Sequence, residues 1–227
     1  MIMKHNEMVY VTPMPVRIWH WLNAFGIVTL CATGLQIRFP EYLPIFGTYK
    51  AAIRLHNTAG AVVSISYMLW LGYYLVVAKS LIKLYVPTLE DLKSGIIRQA
   101  YFYFLTYFLG RPNPHRTKPD NKFNPMQKAA YLIIMLVLLP LVIVSGAFLM
   151  YIAPLRELFL LLGGIKMLVS AHFLLSCCFT AFLFVHIYLA TLGHTPLAHF
   201  KPMWNGWEEE VIEDDNPDNT GDITHSK

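Results

Sequence analysis

Four long stretches without a charged side chain limit what this sequence can fold into. They run over residues 18–37, 55–78, 129–155 and 167–200, and lysine or arginine bounds each of them. A helix needs about 20 apolar residues to cross a hydrocarbon layer of about 30 Å. The sequence therefore predicts an all-α fold, an integral membrane four-helix bundle with transmembrane helices near residues 18–37, 55–78, 128–150 and 168–192.

The composition agrees with a chain that is surrounded by lipid. Hydrophobic residues make up 56% of the sequence and charged residues 14%, whereas an average soluble domain is roughly 25% charged. The N-terminal residues lack the short apolar region and small cleavage-site residues of a signal peptide, so we expect the first apolar run to stay in the membrane. Membrane lipid is the expected surrounding, and no nucleic-acid partner is expected.

Positive charge predicts the orientation in the membrane. Four spans put both termini on the same side as the connection 79–127, which carries most of the loop lysines and arginines. Cytoplasmic loops of membrane proteins are enriched in these residues. We therefore expect a multi-pass protein of the bacterial inner membrane with this connection and both termini in the cytoplasm.

Two segments outside the spans have distinct compositions. Residues 96–110, IIRQAYFYFLTYFLG, are too few to span and rich in aromatic rings. They predict an interfacial cytoplasmic helix between spans two and three. From residue 208 onward acidic side chains dominate. We therefore expect a transmembrane domain over 1–205 and an acidic, flexible cytoplasmic tail over 206–227.

Four histidines lie within the predicted membrane helices, at two matching depths. His20 is near the cytoplasmic end of the first helix, and His56 is near the outer end of the second. The fourth helix carries His172 near the outer face and His186 near the inner face. Ionisable residues inside a membrane are costly and mark functional sites. Depth therefore pairs His56 with His172 and His20 with His186.

The spacing along the fourth helix points in the same direction. His172 and His186 are close to four helical turns apart, so both project from one face, about 21 Å apart along the axis. Haem iron takes axial imidazole ligands, and the macrocycle suits an apolar interior. Two haem b groups, one near each membrane face, would account for all four histidines.

Small and basic residues near these histidines fit the same interpretation. Glycines would let a macrocycle approach the helices, although glycine is also common where membrane helices simply pack. Arginines at the membrane boundaries could neutralise haem propionates or reach the lipid headgroups. The predicted haem-packing and propionate residues are Arg17, Gly34, Arg38, Arg54, Gly60 and Gly146.

The residues alone leave two other function classes open. A haem-free proton or solute transporter would place histidines along a pathway, but it also predicts charged side chains inside the spans, and these runs have none. A purely structural membrane anchor gives no reason for histidines that match in depth. Both alternatives are haem-free, so an optical spectrum separates them from a cytochrome.

Several motifs resemble one family of membrane proteins. RIWHWLN, RLHNTAG, KFNPMQKAAY and the His-x13-His spacing are similar to the di-haem cytochrome b subunits of membrane-bound oxidoreductases. These include thiosulfate reductase-type cytochrome b, the formate dehydrogenase gamma subunit and nickel–iron hydrogenase cytochrome b. The resemblance covers about residues 9–205. It implies that His56 and His172 ligate the outer haem, and that His20 and His186 ligate the inner one.

The resemblance also implies a quinone site. The family binds menaquinone beside the inner haem, and Asn124 stands at the position of its quinone-contacting asparagine. Lys122, Gln127 and Lys128 are the polar neighbours, and His194 lies at the cytoplasmic end of the fourth helix. A basic helix start at the inner surface would explain the same three neighbours.

The function that follows is electron transfer between the quinone pool and an outer-face redox partner. The chain has no iron–sulfur cysteine set and no dinucleotide-binding glycine motif, so we expect it to act as the quinone-reactive membrane anchor of a respiratory oxidoreductase complex. The expected partner subunit carries iron–sulfur clusters, molybdenum, a hydrogenase centre or several c-type haems. The outer loops 38–54 and 151–167 would form its docking surface.

Overall fold

The computed structural model describes residues 4–107, 109–111, 113–115, 123–152, 154, 157, 163–192, 197–198 and 200–213. The regular elements in chain order are β1 (Lys4–Tyr10), α1 (Met14–Arg38), α2 (Tyr49–Gly72), α3 (Leu81–Tyr85), α4 (Ile96–Tyr101), α5 (Pro125–Ile133), α6 (Leu139–Met150), α7 (Gly164–Ala190), α8 (Lys201–Asn205) and β2 (Trp207–Glu213). Four π-helical segments adjoin these helices. Tyr73–Val77 extends α2, Asp91–Gly95 and Phe102–Thr106 flank α4, and Ile134–Leu138 joins α5 to α6.

The four transmembrane helices are confirmed, and each begins a few residues earlier than the sequence suggested. The segments long and apolar enough to cross a membrane are Met14–Arg38, Tyr49–Val77, Pro125–Met150 and Gly164–Ala190. Side-chain capping explains the earlier starts of the second and third spans. The Thr48 hydroxyl accepts a hydrogen bond from the Ala51 N–H, and Asn124 forms a capping box with Gln127. The basic residues that bound the apolar runs therefore lie inside the helices, not before them.

The spans pack as two helix pairs. The first span lies along the second, and α6 lies along α7. Gly26 marks the tightest approach of the first pair, because a Cβ atom there would come within 2.6 Å of Val63 Cγ2. Cys31 Sγ and Thr180 Oγ1 are 3.4 Å apart and connect the two pairs near the middle of α1. Small residues at such contacts are typical of membrane helices.

Large aromatic side chains form the core between the second and third spans. Tyr67, Trp70 and Tyr85 are buried there with Ile134 and Leu139. The outer surface of the bundle is apolar instead of polar: Phe25, Leu69 and Phe184 are 69%, 70% and 69% exposed. Such a surface is stable in lipid but not in water.

A helix between spans two and three is present where the sequence predicted one. It comprises Asp91–Gly95, α4 and Phe102–Thr106, and we call it the cytoplasmic helix. Ile97, Tyr101 and Phe104 expose one apolar face, while Gln99 and Phe102 are buried on the opposite side. An amphipathic pattern of this kind suits the membrane interface. That location stays a prediction.

The expected flexible tail is wrong for residues 207–213. These residues form β2, which pairs antiparallel with β1 so that Tyr10 lies opposite Trp207 and Lys4 opposite Glu213. Gly206 makes the turn into β2 with φ +93°, and a Cβ atom there would lie 2.5 Å from Tyr10 Cε2. Acidic composition suggested a solvated tail, but it carries no information about a pairing strand at the other end of the chain. Residues 214–227 lie outside the described part.

Candidate haem sites

The four predicted histidines meet in two pairs, as their depths suggested. The imidazole ring centres of His56 and His172 are 6.4 Å apart, and those of His20 and His186 are 6.3 Å apart. His172 and His186 both project from α7, and their partners come from α2 and α1. The two pairs therefore lie about 21 Å apart along α7, one towards each end of the bundle.

The ring separation matches two imidazoles that share one metal ion. A metal–imidazole bond is about 2 Å long, and each ring centre lies a little farther out, so two rings on opposite sides of a metal have centres roughly 6 Å apart. Among the described residues, no group of three or more histidine, cysteine or acidic side chains could hold a metal by itself. Two axial imidazoles suffice for haem, because the macrocycle supplies the other ligands. The residues present fit the group.

A hydroxyl group holds the His56 ring. Thr33 Oγ1 lies 2.9 Å from His56 Nδ1 and donates its own hydrogen to the Thr29 carbonyl at 2.7 Å. A hydroxyl has a single hydrogen to donate, so it accepts from Nδ1–H of the histidine. The proton on Nδ1 leaves the lone pair of Nε2 available for a metal.

The same arrangement recurs at His172. Ser145 Oγ lies 2.9 Å from His172 Nδ1 and donates to the Leu141 carbonyl at 2.7 Å. Ser145 is buried, as is Thr33. Each hydroxyl residue lies on the helix that packs against the helix of its histidine. Sequence analysis did not identify either residue.

Two of the three predicted glycines lie directly against these histidines. A Cβ atom on Gly34 would be 3.6 Å from His56 Cε1, and one on Gly146 would be 3.2 Å from His172 Cε1. Gly60 differs, because its nearest neighbour is Leu30 Cδ2 at 3.8 Å, an ordinary contact between α1 and α2. Its part in haem packing stays a prediction.

The inner pair lies in an aromatic environment. The His186 ring stacks on Phe182 with centres 5.6 Å apart, and His20 meets the Trp21 ring edge-on at 5.3 Å. Trp21 Nε1 donates to the Met203 carbonyl at 2.8 Å, so α8 covers this end of the bundle. Phe182 and Trp21 therefore pack directly against the two histidine rings.

The three predicted arginines have different surroundings. Arg17 donates to the Trp204 carbonyl at 2.6 Å and so helps to fix α8. The Arg38 guanidinium lies over the rings of Phe39 and Phe173, at 5.1 and 5.7 Å. Arg54 is exposed two residues before His56. Arg38 thus contacts Phe173, the residue next to His172 in the chain.

Three of the predicted quinone residues are described, and each of the three has a partner in the protein. Asn124 Oδ1 accepts from the Gln127 N–H at 2.9 Å, and Asn124 Nδ2 donates to the Tyr103 hydroxyl at 3.2 Å. Gln127 Oε1 accepts from the Asn124 N–H, and Lys128 pairs with Asp91 at 3.3 Å. Each end of the Asn124 amide thus has a partner in the protein. An amide nitrogen has two hydrogens to donate, so Asn124 could donate to a quinone oxygen without losing either bond. Lys122 and His194 lie outside the described residues.

Comparison with known proteins agrees with a cytochrome. The family model for "Prokaryotic cytochrome b561" matches residues 11–206. The putative cytochrome YdhU of Escherichia coli (strain K12) is 31% identical over 205 residues, which cover 89% of this chain and 76% of that protein. No solved structure matches the chain.

Shorter matches join the chain to a second group of relatives. A probable Ni/Fe-hydrogenase B-type cytochrome subunit of Rhizobium leguminosarum bv. viciae is 59% identical over 35 residues, 15% of each chain. The subunit of the same name from Rhodobacter capsulatus is 38% identical over 72 residues, 28% of this chain and 27% of that one. The chain therefore belongs to the prokaryotic cytochrome b561 family. It is a multi-pass b-type cytochrome of the membrane that functions in electron transfer.

Proposed function

We propose that this chain carries electrons across a bacterial inner membrane through two haem b groups. The observation that supports this most is the presence of two histidine pairs with ring centres 6.3 and 6.4 Å apart, towards opposite ends of the bundle. The bound haems would supply one-electron carriers within tunnelling reach of each other. His56 and His172 would ligate the outer one, and His20 and His186 the inner one.

The protein's own contribution is orientation and space. Thr33 and Ser145 hold Nδ1 of the outer histidines, so that Nε2 of each ring can face the iron. Gly34 and Gly146 keep the space beside these rings open. Arg38 and Arg54 at the outer boundary, and Arg17 at the inner one, are the cations that we expect to neutralise the propionates.

We place a quinone site at the inner end, beside the start of the third span. The site comprises Asn124, Gln127, Lys128 and Tyr103. Burial raises the pKa of Tyr103, and hydrogen bonds with Gln99 and Asn124 oppose this rise more weakly. Neutral donors of this kind suit a quinone oxygen. Lys122 and His194 remain predicted members of the site. Menaquinone, which the resemblance implies, is the proposed substrate.

The proposed partner is a redox subunit on the outer face. Relatives named as Ni/Fe-hydrogenase cytochrome subunits support this proposal. A partner with a hydrogenase centre, iron–sulfur clusters, molybdenum or several c-type haems would in each case exchange electrons with the outer haem. The loop after α1 is ordered by Gln36, which accepts from the Phe46 N–H at 2.7 Å and donates to the Gly47 carbonyl at 3.0 Å. Tyr42 on this loop is 80% exposed and available for contact.

In the proposed topology, both termini, the cytoplasmic helix and the quinone site lie on the cytoplasmic side. The chain acts in this account as the membrane anchor and quinone-reactive subunit of an oxidoreductase complex. Fusion of a reporter that is active only in the cytoplasm to either terminus tests the orientation. Activity at both termini is expected, and activity at neither would reverse the topology.

The dithionite-reduced optical spectrum of the purified chain tests the function. We expect a b-type haem spectrum. In His172→Ala, only the absorption of the outer haem should be lost. His115→Ala is the matched control, because His115 lies outside the four spans, and it should keep the full signal. A wild-type chain without haem absorption would favour a transporter or a structural anchor and contradict the proposal.

A further inference from the structure

The contact between the cytoplasmic helix and the start of the third span is unusually polar. From the cytoplasmic helix, Asp91 pairs with Lys128 of α5 and Tyr103 accepts from Asn124 at the α5 N-cap. Gln99 on the same helix donates to Asn113 Oδ1 at 3.1 Å. Gln99 is 2% exposed and Asn124 is 3% exposed. Apolar side chains would be enough to dock an amphipathic helix, and burying polar groups is costly unless they are bonded. This polarity calls for a chemical explanation.

A cavity of about 150 Å³ lies at this contact. Its polar wall is formed by Asp91, Arg98, Gln99, His115 and Lys128, and Gly95 and Pro125 also line it. A volume of this size with several polar partners can hold a few water molecules. The cavity is therefore a place where water can meet ionisable side chains next to Asn124.

The chemistry proposed for the inner end requires such a place. Oxidation of a quinol breaks two O–H bonds, and it releases two protons with two electrons. The electrons leave one at a time through the haems, so the protons must reach water separately. The four spans contain no aspartate or glutamate. Among the described residues, Asp91 is a carboxylate that the fold brings to the third span, where it contacts Lys128 at 3.3 Å.

We propose that Asp91, held by Lys128 at the wall of this cavity, exchanges protons between a quinone bound beside Asn124 and the cytoplasmic water. Each proton would pass from a quinol O–H to an Asp91 carboxylate oxygen and then to cavity water, and a haem held by His20 and His186 would supply the acceptor for the accompanying electron. Two such transfers convert the quinol to the quinone. Reduction of a quinone uses the same steps in reverse. The inference rests on the quinone site of the proposed function.

The surroundings keep Asp91 ready to accept a proton. Burial alone would raise its pKa, but hydrogen bonds from the Thr88 N–H and hydroxyl, together with Lys128, outweigh this and lower the pKa below its usual value. Arg98 and His115 also line the cavity, and Lys93 lies two residues away on the same helix. Asp91 is therefore a carboxylate at neutral pH and returns a proton quickly to water.

Stopped-flow reduction of the haems tests the proposal, with the full chain in proteoliposomes and 2,3-dimethyl-1,4-naphthoquinol as the electron donor. Asp91→Asn keeps the side-chain shape but cannot take up a proton. We expect the quinol-driven rate to fall about 10-fold or more and to recover partly when acetate or azide is added. Haem content and reduction by dithionite should not change. Glu90→Gln, which removes the exposed neighbouring charge, should behave like wild type.

A second variant keeps the test decisive if Asp91→Asn folds poorly. Lys128→Gln removes the cation that lowers the Asp91 pKa, so the acid limb of the quinol-driven rate should move to higher pH. A wild-type rate in Asp91→Asn, a loss that weak acids do not rescue, or an unmoved pH limb in Lys128→Gln would each overturn the inference. A wild-type chain that dithionite reduces but quinol does not would instead overturn the proposed quinone site, and this inference with it.

Discussion

Removal of a single hydroxyl at the outer histidine pair should weaken the binding of the outer haem and leave the binding of the inner haem unchanged. In the structure Ser145 Oγ accepts from His172 Nδ1–H at 2.9 Å, and its own hydrogen is bound to the Leu141 carbonyl. Ser145→Ala leaves the ring donor without this acceptor inside the bundle. Thr33→Val does the same at His56 while keeping the branched shape of the side chain.

The size of the effect follows from the lost contact. A buried donor left without its acceptor costs about 1–3 kcal/mol. Loss of the group that orients a metal-bound histidine typically weakens metal affinity by about 10–100-fold, which corresponds to about 1.4–2.8 kcal/mol. The two estimates agree. The less basic imidazole should also raise the reduction potential of the outer haem, because a basic ligand favours the ferric state.

Transfer of haem to apomyoglobin measures this loss directly. We expect the outer haem of Ser145→Ala and of Thr33→Val to leave about 10–100 times more readily than in wild type, and the inner haem to leave at the wild-type rate. Thr180→Val is the matched control, since Thr180 contacts Ser176 and Cys31 but neither histidine pair. Equal effects on both haems, or no effect on either, would refute the assigned role of these hydroxyls.

Three further changes test other parts of the structure. Gly146→Leu should remove the outer haem, because even a Cβ atom there would lie 3.2 Å from the His172 ring. Gly72→Leu is the control and should retain the haem, since a Cβ atom at Gly72 has nothing within 4 Å. The haem content per chain measures both. Gly206→Ala should loosen the pairing of β1 with β2 by about 1–3 kcal/mol, seen as faster amide exchange in residues 4–10. The Asp91–Lys128 pair should contribute fully to the packing of the cytoplasmic helix on α5 when the pH is above 3.8, the ordinary carboxyl pKa. This contribution should be lost as the pH falls through the lowered pKa of Asp91. Amide protection in the cytoplasmic helix, taken relative to the intrinsic exchange rate at each pH, should then fall at acid pH in wild type but not in Asp91→Asn.

The membrane helices and the histidine pairs could be predicted because their signals are local. Charge-free runs fix the spans, and the His-x13-His spacing places two side chains on one face of α7 whatever the tertiary packing. Depth then left only one sensible pairing. The structure adds the distances that make the pairs chemically meaningful, 6.4 and 6.3 Å between ring centres.

The groups that orient the histidines needed knowledge of which helices touch. Thr33 precedes Gly34, and Ser145 precedes Gly146, so each partner helix carries a hydroxyl residue directly before a glycine. That repeated pair was visible in the sequence. Its meaning appears only when α1 is known to pack on α2 and α6 on α7.

Elements at the end of the bundle that holds His20 and His186 were harder to predict for the same reason. β2 owes its strand to β1 at the far end of the chain, and its acidic composition suggested a tail instead. Asn124 looked like a ligand contact by resemblance, while the structure shows it capping α5 and bonding Tyr103. The pairing of β2 with β1 and the bond of Asn124 to Tyr103 both join residues distant in sequence.

The number of haems bound per chain tests the central claim most directly. Haem extraction into alkaline pyridine, set against protein determined by amino-acid analysis, should give a ratio of about two for wild type. The ratio should be about one for His172→Ala and for His186→Ala, with a different haem lost in each according to redox titration. A wild-type ratio near zero or one, or loss of the same haem in both variants, would contradict the account.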